Sequence, residues 1–510
     1  MRFVFAIIVF LICVETIAQD ARPNVLLIVA DDLGYDSPGF AGGVAPDVTP
    51  NLDRLASESF SFKNAFSVVS VCQPSRQSML SGLIPQHYGS KGFFPMADGT
   101  PTLPGLLRAS GYVTGNIHKW GHMRPIESFN WNYDNKALGL TDPTGIVGRD
   151  PQAMGRGFRK LIEIAEENDQ PFFMIVNSAD PHRPFHGDYK SNGGPKPKEP
   201  SRIYTAEEIT VPPTLPDIPG IREDLAKYAS SVRRLDDTVG ECLKVLRESN
   251  KKSSTIVIFV SDNGMPLPFG KFDAYLSSNR SPFLMRWPEG ISTPGVDHDH
   301  LVSLMDITPT VLELAGVPVP TPMDGKSLVP LLKKNKNATW RESITFIRNE
   351  DINYTSSYKR RAKKDPLFMD KMIASGWELR PDHPSKGTYS RSKEIRTYFD
   401  GRYGYIYNDC YRENGLELNE LGAIVPYDGA SIIAMRKMSQ DDPAVKERYE
   451  FFLLRAKEEL YDWSTDPGSR QNLALDPNYA VVLKKSRKGL AKWMKSSKDP
   501  LLEEYQYLIN

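Results

Sequence analysis

Asn24-Val25-Leu26-Leu27-Ile28-Val29-Ala30 is an unbroken apolar run that ends in two aspartates, Asp31 and Asp32. A strand with one wet face alternates apolar and polar residues. A run that is apolar at every position reads instead as a strand covered on both faces, the situation of a central strand in a parallel sheet. The design recurs. Tyr112 to Ile117 delivers His118, Lys119 and His122; Phe172 to Val176 delivers Asn177, Asp180 and His182; Ile256 to Val260 delivers Ser261, Asp262, Asn263 and Gly264. Helical patterns lie between, over 155–168 and over 221–249, where Leu225, Tyr228, Val232, Leu235, Val239 and Leu246 mark one apolar face. Thr49 and Pro50 open a further amphipathic helix with a polar cap, and Val302 to Leu314 gives another. This alternation continues to about residue 350 and predicts an α/β fold, a mostly parallel sheet with helices on both faces. In such sheets the carboxyl ends of the strands share one edge, where ligands bind. Four polar strand tips are therefore expected to meet.

The texture then changes. Residues 355–394 are polar and irregular, Ile395 to Asn408 alternates like antiparallel strands, and Val482 to Met494 reads as a helix. A smaller C-terminal α+β domain with an antiparallel sheet is expected over 376–510, after a larger domain over 19–375. Residues 184–219, rich in proline, glycine and lysine, read as a rim over the site. Arg2, the apolar stretch Phe3 to Val14 and Thr16-Ile17-Ala18 have the pattern of a signal peptide spanning 1–18. The expected location is outside the cytoplasm: periplasmic or secreted, or lysosomal in a eukaryote. No later stretch is apolar enough to span a membrane.

Lysines plus arginines and aspartates plus glutamates number 63 each, a balance that argues against a general nucleic-acid binder. Beyond the signal segment the cysteines are Cys72, Cys242 and Cys410, too few for a disulfide scaffold; at most Cys242 and Cys410 pair. Asn337 and Asn353 head glycosylation triplets, and Lys359 to Lys364 is a dense basic run that reads as solvated surface or an anion contact.

Cys72-Gln73-Pro74-Ser75-Arg76 reads as the first turn of a short helix, with Pro74 tolerated there and Gly82 placed to end it. The positive helix end and Arg76 both favour an anionic group at Cys72. Asp31-Asp32, directly after a core strand, reads as a cation site, with a turn before Gly34 as the alternative for one of them.

Cys-x-Pro-Ser-Arg is also the signature of the sulfatases. The Asp-Asp strand, the Thr49-Pro50-Asn51-Leu52-Asp53-Arg54-Leu55 helix, the cysteine motif and Ser261-Asp262-Asn263-Gly264 resemble that family in its expected order. Asp180-Pro181-His182-Arg183, the segment Ser261 to Pro266, Glu459-Leu460-Tyr461-Asp462 and Gln471-Asn472-Leu473-Ala474 look most like its sulfamidase (heparan N-sulfatase) branch. The resemblance implies an alkaline-phosphatase-like fold and the hydrolysis of sulfate from a sulfated carbohydrate or glycosaminoglycan. It implies oxidation of Cys72 to formylglycine (3-oxoalanine) by a formylglycine-generating enzyme. It implies one Ca2+ held by Asp31, Asp32, Asp262, Asn263 and the modified Cys72. Arg76 would hold the aldehyde hydrate, Lys119 and Lys271 the sulfate, and His182 would protonate the leaving atom. The implied reaction is a double displacement, in which one hydroxyl of the hydrate attacks sulfur and the other later expels the sulfate, assisted by a histidine near Lys119.

Two departures bear on this. The family separates that lysine and histidine by one residue, whereas Trp120 and Gly121 both separate Lys119 from His122, leaving His118 as an alternative. Lys271 falls where sulfamidases carry arginine and O-sulfatases commonly carry lysine, so an O-sulfatase acting on another polysaccharide is an alternative substrate class. A phosphoesterase of the same superfamily would need a Ser or Thr nucleophile and clustered histidines, and the eight histidines are not so grouped. With Cys72 unconverted, the same pocket would make a sulfated-glycan-binding protein. A homodimer is left open.

Overall fold

Successive side chains of β1 (Asn24–Asp31) enter two different cores. Leu26, Ile28 and Ala30 pack on one face with Leu225, Val232 and Phe158; Val25, Leu27 and Val29 pack on the other with Met79, Leu107 and Val311. That is the physical content of an uninterrupted apolar run: each face of the sheet is roofed by helices, and each buried aliphatic contributes about 1.5–3 kcal/mol.

The computed structural model describes residues 22–509 except 142–145, 190–195, 292, 336–337, 354–377, 381–387 and 410–428. The signal segment, the Asn337 triplet, Lys359–Lys364 and Cys410 lie outside the described residues. The main sheet adds β2 (Phe60–Phe62), β3 (Val113–Ile117), β4 (Phe172–Pro181), β5 (Thr255–Ser261), β6 (Phe283–Arg286) and β7 (Gly295–Asp297), in the order β3-β4-β1-β5-β6-β2-β7. β3, β4, β1 and β5 are parallel neighbours, and only β6 runs antiparallel to those beside it. All four polar-tipped strands are thus adjacent, with their carboxyl ends on one edge.

Four helices matter for the site: α1 (Pro50–Ser57), α2 (Cys72–Ser81), α3 (Pro151–Glu167) and α4 (Pro219–Glu248). Thr49 does not cap α1 with its side chain. Its hydroxyl instead donates to Asp53 (2.9 Å), and Asp236 of α4 accepts the first-turn N–H groups of Asn51 (3.1 Å) and Leu52 (2.8 Å). Cys242 is buried in α4 and free; Cys410, which the sequence allowed as its partner, lies outside the described residues.

A separate antiparallel sheet is built from β8 (Ile344–Asn353), β9 (Glu378–Arg380), β10 (Thr388–Phe399), β11 (Tyr403–Asn408) and β12 (Glu458–Asp462), in the order β8-β10-β11-β12 with β9 also on β10. β8 pairs with β10 from Ile344↔Phe399 to Asn353↔Ser390, so this sheet draws a strand from before residue 375. The C-terminal helix α5 (Ala480–Ser497) covers it through Leu483, Leu490 and Met494, and a further helix, Leu502–Ile509, follows. No helix among the described residues is long and apolar enough to cross a membrane.

Candidate active site

The edge shared by β3, β4, β1 and β5 gathers the polar tips around the start of α2. Asp31, Asp32, Asp262 and Asn263 are fully buried. The Asp32 N–H donates to Asp262 Oδ1 (3.1 Å), and Asn263 Nδ2 donates to Asp32 Oδ1 (2.8 Å). Gly264 makes this turn feasible, since a Cβ there would lie 2.1 Å from the Ser277 carbonyl oxygen. Cys72 is the first helical residue of α2, and Gly82 ends the helix in the left-handed region at φ 71°. Arg76 lies one turn after Cys72, on the same face. Its Nε donates to Asp262 Oδ2 (2.9 Å) and its Nη2 sits 2.8 Å from the same oxygen.

The other cations close in from both sides. Lys271 Nζ is 2.5 Å from Asp32 Oδ1 and 3.5 Å from Cys72 Sγ. Lys119 Nζ pairs with Asp31 Oδ2. His182 Nε2 is 3.7 Å from Asp32 Oδ2, while its Nδ1 is hydrogen-bonded to the Arg183 carbonyl. His122 lies in a short 3-10 turn, Trp120–His122, whose N–H donates back to the Lys119 carbonyl (3.1 Å). Residues three apart in a 3-10 turn eclipse one another, so two intervening residues still leave Lys119 and His122 on one side. Lys119, Asp31, Arg76 and Lys271 all act on the His122 ring. The His118 ring turns instead toward Gly148, where a Cβ would stand 2.7 Å from its Nδ1.

Two buried groups on β4 act behind the cluster: Asn177, to which the sequence assigned no role, and Asp180, which was expected with His182 at the shared edge. Asn177, at the tip of β4, accepts from Arg76 Nη1 and donates to Asn116 Oδ1 (2.7 Å) and the Ile117 carbonyl (3.0 Å), tying α2 to β3. Asp180 does not face the cluster. Arg234 of α4 grips both its oxygens at 2.7 Å, and Arg149 approaches at 3.4 Å. Arg149 also donates to the His182 carbonyl (2.7 Å), so this clamp sets the turn that carries His182. Polar residues at strand tips are visible in sequence; which of them turn away from the edge depends on partners far along the chain.

Burial alone would raise the Asp31 carboxyl, but Lys119, His182, Arg76 and Lys271 outweigh it and hold Asp31 well below the usual carboxylate range. Burial pushes Asp262 up to about 7 against the pull of Arg76, and pushes the Cys72 thiol up to about 11. Burial also lowers both histidines, His122 to about 2 with help from Lys119. Asp31 Oδ1, Asp32 Oδ2 and Asn263 Oδ1 are buried without a hydrogen-bond partner, and Asp31 Oδ2 has only the Lys119 ammonium beside it. Asp31, Asp32, Cys72 and His182 each present a ligand atom within 4.8 Å of the others. Orphaned buried oxygens are costly unless a ligand satisfies them, and an oxygen-rich, carboxylate-rich set fits a hard divalent cation.

The sulfatase family profile matches residues 23–317, the stretch that holds the main sheet and every residue of this cluster. The chain is 31% identical to human N-sulphoglucosamine sulphohydrolase, over 94% of this chain and 91% of that protein. It is 24% identical to an ulvan-active sulfatase of Formosa agariphila, over 96% and 77%. The fold is shared with BT4656, solved in complex with its substrate D-glucosamine-2-N,6-O-disulfate, at a TM-score of 0.61 and 18% identity over 94% of this chain and 99% of that one. With the family profile over more than half its length and a sulphohydrolase alike over nearly all of it, the chain belongs to the sulfatases, and it is a sulfatase-type hydrolase.

Proposed function

We propose that this sulfatase removes sulfate from a sulfated carbohydrate, with an N-sulfated glucosamine unit of a glycosaminoglycan as the first substrate to test. Support for that substrate is the likeness to the human sulphohydrolase over 94% of the chain, well beyond the residues matched by the family profile. The observation that carries the chemistry is the buried cluster itself: orphaned carboxylate and amide oxygens, three fixed cations and Cys72 at the head of a buried helix.

Asp31, Asp32, Asp262 and Asn263 would hold Ca2+, which when bound polarises sulfate oxygens and tempers the nucleophile's charge. Cys72 would be converted to formylglycine by a generating enzyme during export, and the hydrated aldehyde supplies an oxygen nucleophile. Arg76, pinned by Asp262 and Asn177, orients the side chain at position 72. Lys119 and Lys271 flank the cleft with their ammonium groups and bind the anionic sulfate oxygens. His182 Nδ1 donates to the Arg183 carbonyl, which leaves Nε2 facing Asp32; Asp32 opposes the effect of burial and favours the doubly protonated ring, whose Nε2 proton would be delivered to the leaving nitrogen or oxygen. His122, held neutral by burial, accepts a proton on the Lys119 side.

One observation favours a second reading of the substrate. Lysine at position 271 is the residue the sequence associates with O-sulfatases, so an O-sulfated unit is the alternative. Sulfate release from N-sulfoglucosamine and a panel of O-sulfated sugars, with calcium present, decides between them. Mass spectrometry of the peptide spanning Cys72 reports conversion. An unmodified thiol in protein from the native host, with no release from any sugar, would overturn the enzymatic reading in favour of a binding protein.

A further inference from the structure

We propose that the outer face of α5 is a docking track for a sulfated polysaccharide chain, running into a cleft that shares a wall with the active site. The proposal rests on the sulfatase reading and extends it from a sugar unit to a polymer. The chain as a whole carries equal numbers of acids and bases, yet residues 480–498 contain Lys484, Lys485, Arg487, Lys488, Lys492, Lys495 and Lys498 and no acid. Lys485 and Arg487 are paired with Asp400 (3.4 Å) and Glu458 (2.5 Å). Lys484, Lys488, Lys492, Lys495 and Lys498 are exposed and have no acidic partner among the described residues.

Lys484, Lys488, Lys492 and Lys495, spaced by four, four and three, lie in one row on the helix, opposite the buried Leu483, Leu490 and Met494, and Lys498 follows as the left-handed residue that ends it. At 1.5 Å per residue the row on the helix is about 17 Å long. Like charges one turn apart repel and weaken a helix, so an unpaired row is a cost that a polyanion would remove. The apolar face of α5 is spent on its own sheet, which leaves none to enter a lipid surface.

Past the row, Lys498 lines an open cleft of about 560 Å³ together with Lys91, Phe94, Asn349, Glu394 and Arg396. Glu394 pairs with Lys91 and with Arg396 at 2.8 Å each, so Lys498 carries the cleft's exposed charge. Asn349 is 4% exposed and its Oδ1 has no hydrogen-bond partner, so the cleft wall holds a buried acceptor suited to a sugar hydroxyl. The loop carrying Lys91 and Phe94 is also a wall of the active site. The Phe94 carbonyl accepts from Gln73 (2.8 Å) and Gln77 (3.0 Å) of α2, and the adjacent Phe93, 48% exposed, stands 6.1 Å from the His122 ring. A glycan lying on the row would reach this loop beside the reacting unit, its sulfates meeting lysines and its ring faces meeting Phe93.

The test replaces Lys484, Lys488, Lys492 and Lys495 together by Gln in the full-length protein, none of them being in the catalytic cluster. Binding of heparin and of dextran sulfate is measured by calorimetry at low and physiological salt, beside sulfate release from a monosaccharide and from a sulfated polymer. Removing four aligned charges is expected to weaken polymer binding and raise the polymer KM by about tenfold, with polymer kcat and monosaccharide turnover unchanged. Polymer binding within about twofold of wild type would overturn the track while leaving the enzyme reading intact. Loss of binding in a protein that hydrolyses no sulfated sugar would support the track and sink the enzyme reading. A duplex DNA that competes as well as heparin would overturn the assignment to a sulfated glycan.

Discussion

Asp180 offers the sharpest test of how the catalytic edge is held. Its carboxylate is wholly buried, gripped by Arg234 through two 2.7 Å hydrogen bonds and approached by Arg149 at 3.4 Å. Asp180→Asn keeps the shape, removes the charge, and turns an N–H2 group toward guanidinium donors. Two arginines, 2% and 8% exposed, would then lose the carboxylate between them, with Glu199 and Asp237 acting on Arg234 only at a distance, without an ion pair. Breaking one side of a buried pair costs about 3–5 kcal/mol, and the second arginine places the expectation at the upper part of that range. The same change loosens Arg149, which holds the His182 carbonyl at 2.7 Å. A shift of His182 by about 1 Å would lower kcat by roughly ten- to a hundredfold. Stability is read by calorimetric unfolding and activity by sulfate release. The companion Asp180→Leu/Arg234→Met protein removes both charges, and recovery of at least about 2 kcal/mol relative to Asp180→Asn is expected. Asp180→Asn unfolding within about 1 kcal/mol of wild type would refute the clamp.

Cys72→Ala should abolish sulfate release while the protein melts within a few degrees of wild type; turnover surviving in that variant would contradict the assignment of the nucleophile. Burial raises Asp262 to about 7 from the ordinary 3.8, so the calcium-free fold is favoured at low pH and loses stability as pH rises through about 7. On the proposed reading, calcium would displace that proton below neutrality, so its apparent affinity should fall about tenfold per pH unit below 7 and level off above, a slope that Asp262→Asn abolishes; titration calorimetry across pH 5–8 would expose a flat profile. His122→Ala should preserve the first turnover but slow steady-state release by about a hundredfold or more, giving a burst in rapid-mixing assays, whereas His182→Ala should remove the burst as well.

The main sheet is legible because its central strands have no solvent face: Val25 and Leu26 must both be apolar when helices cover both sides, and that pattern survives in one dimension. The convergence of Asp31, Asp32, Lys119, His182 and Asp262 follows from the same fact, since parallel strands put their carboxyl ends together. Contacts made across long sequence distances were not legible. Asp180 looks like the other tip residues until Arg234, one helix away, turns it aside. Thr49 looks like a cap until Asp236 takes the N–H groups of α1. β8 follows the parallel domain without a composition break, and only its pairing with β10 assigns it to the second sheet. The Lys119–His122 spacing departs from the single intervening residue of the family; a 3-10 turn, entered through positive φ at His118 and Lys119, still puts the two residues on one side.

The charges of the cluster explain why the site is built from opposed ions rather than from a bare pocket. Asp31, Asp32 and Asp262 face Arg76, Lys119 and Lys271, three acids against three bases, all but Lys119 nearly free of solvent. With all six ionised the set balances without a cation, which allows the fold to form around it; burial still works against each acid and raises Asp262 to about 7 despite Arg76, so the balance is complete only above that pH. A divalent cation entering the orphaned oxygens would leave a surplus of about two positive charges in a region of low dielectric, where a charge imbalance acts most strongly. A sulfate monoester or sulfamate brings one negative charge, and an ionised oxygen nucleophile brings the other. On the proposed reading the cation therefore converts a neutral scaffold into a site whose charge is matched only when substrate and activated nucleophile are both present. Burial raises the Cys72 thiol to about 11 in the metal-free site; on that reading the second charge is the one carried by the oxygen nucleophile proposed at position 72.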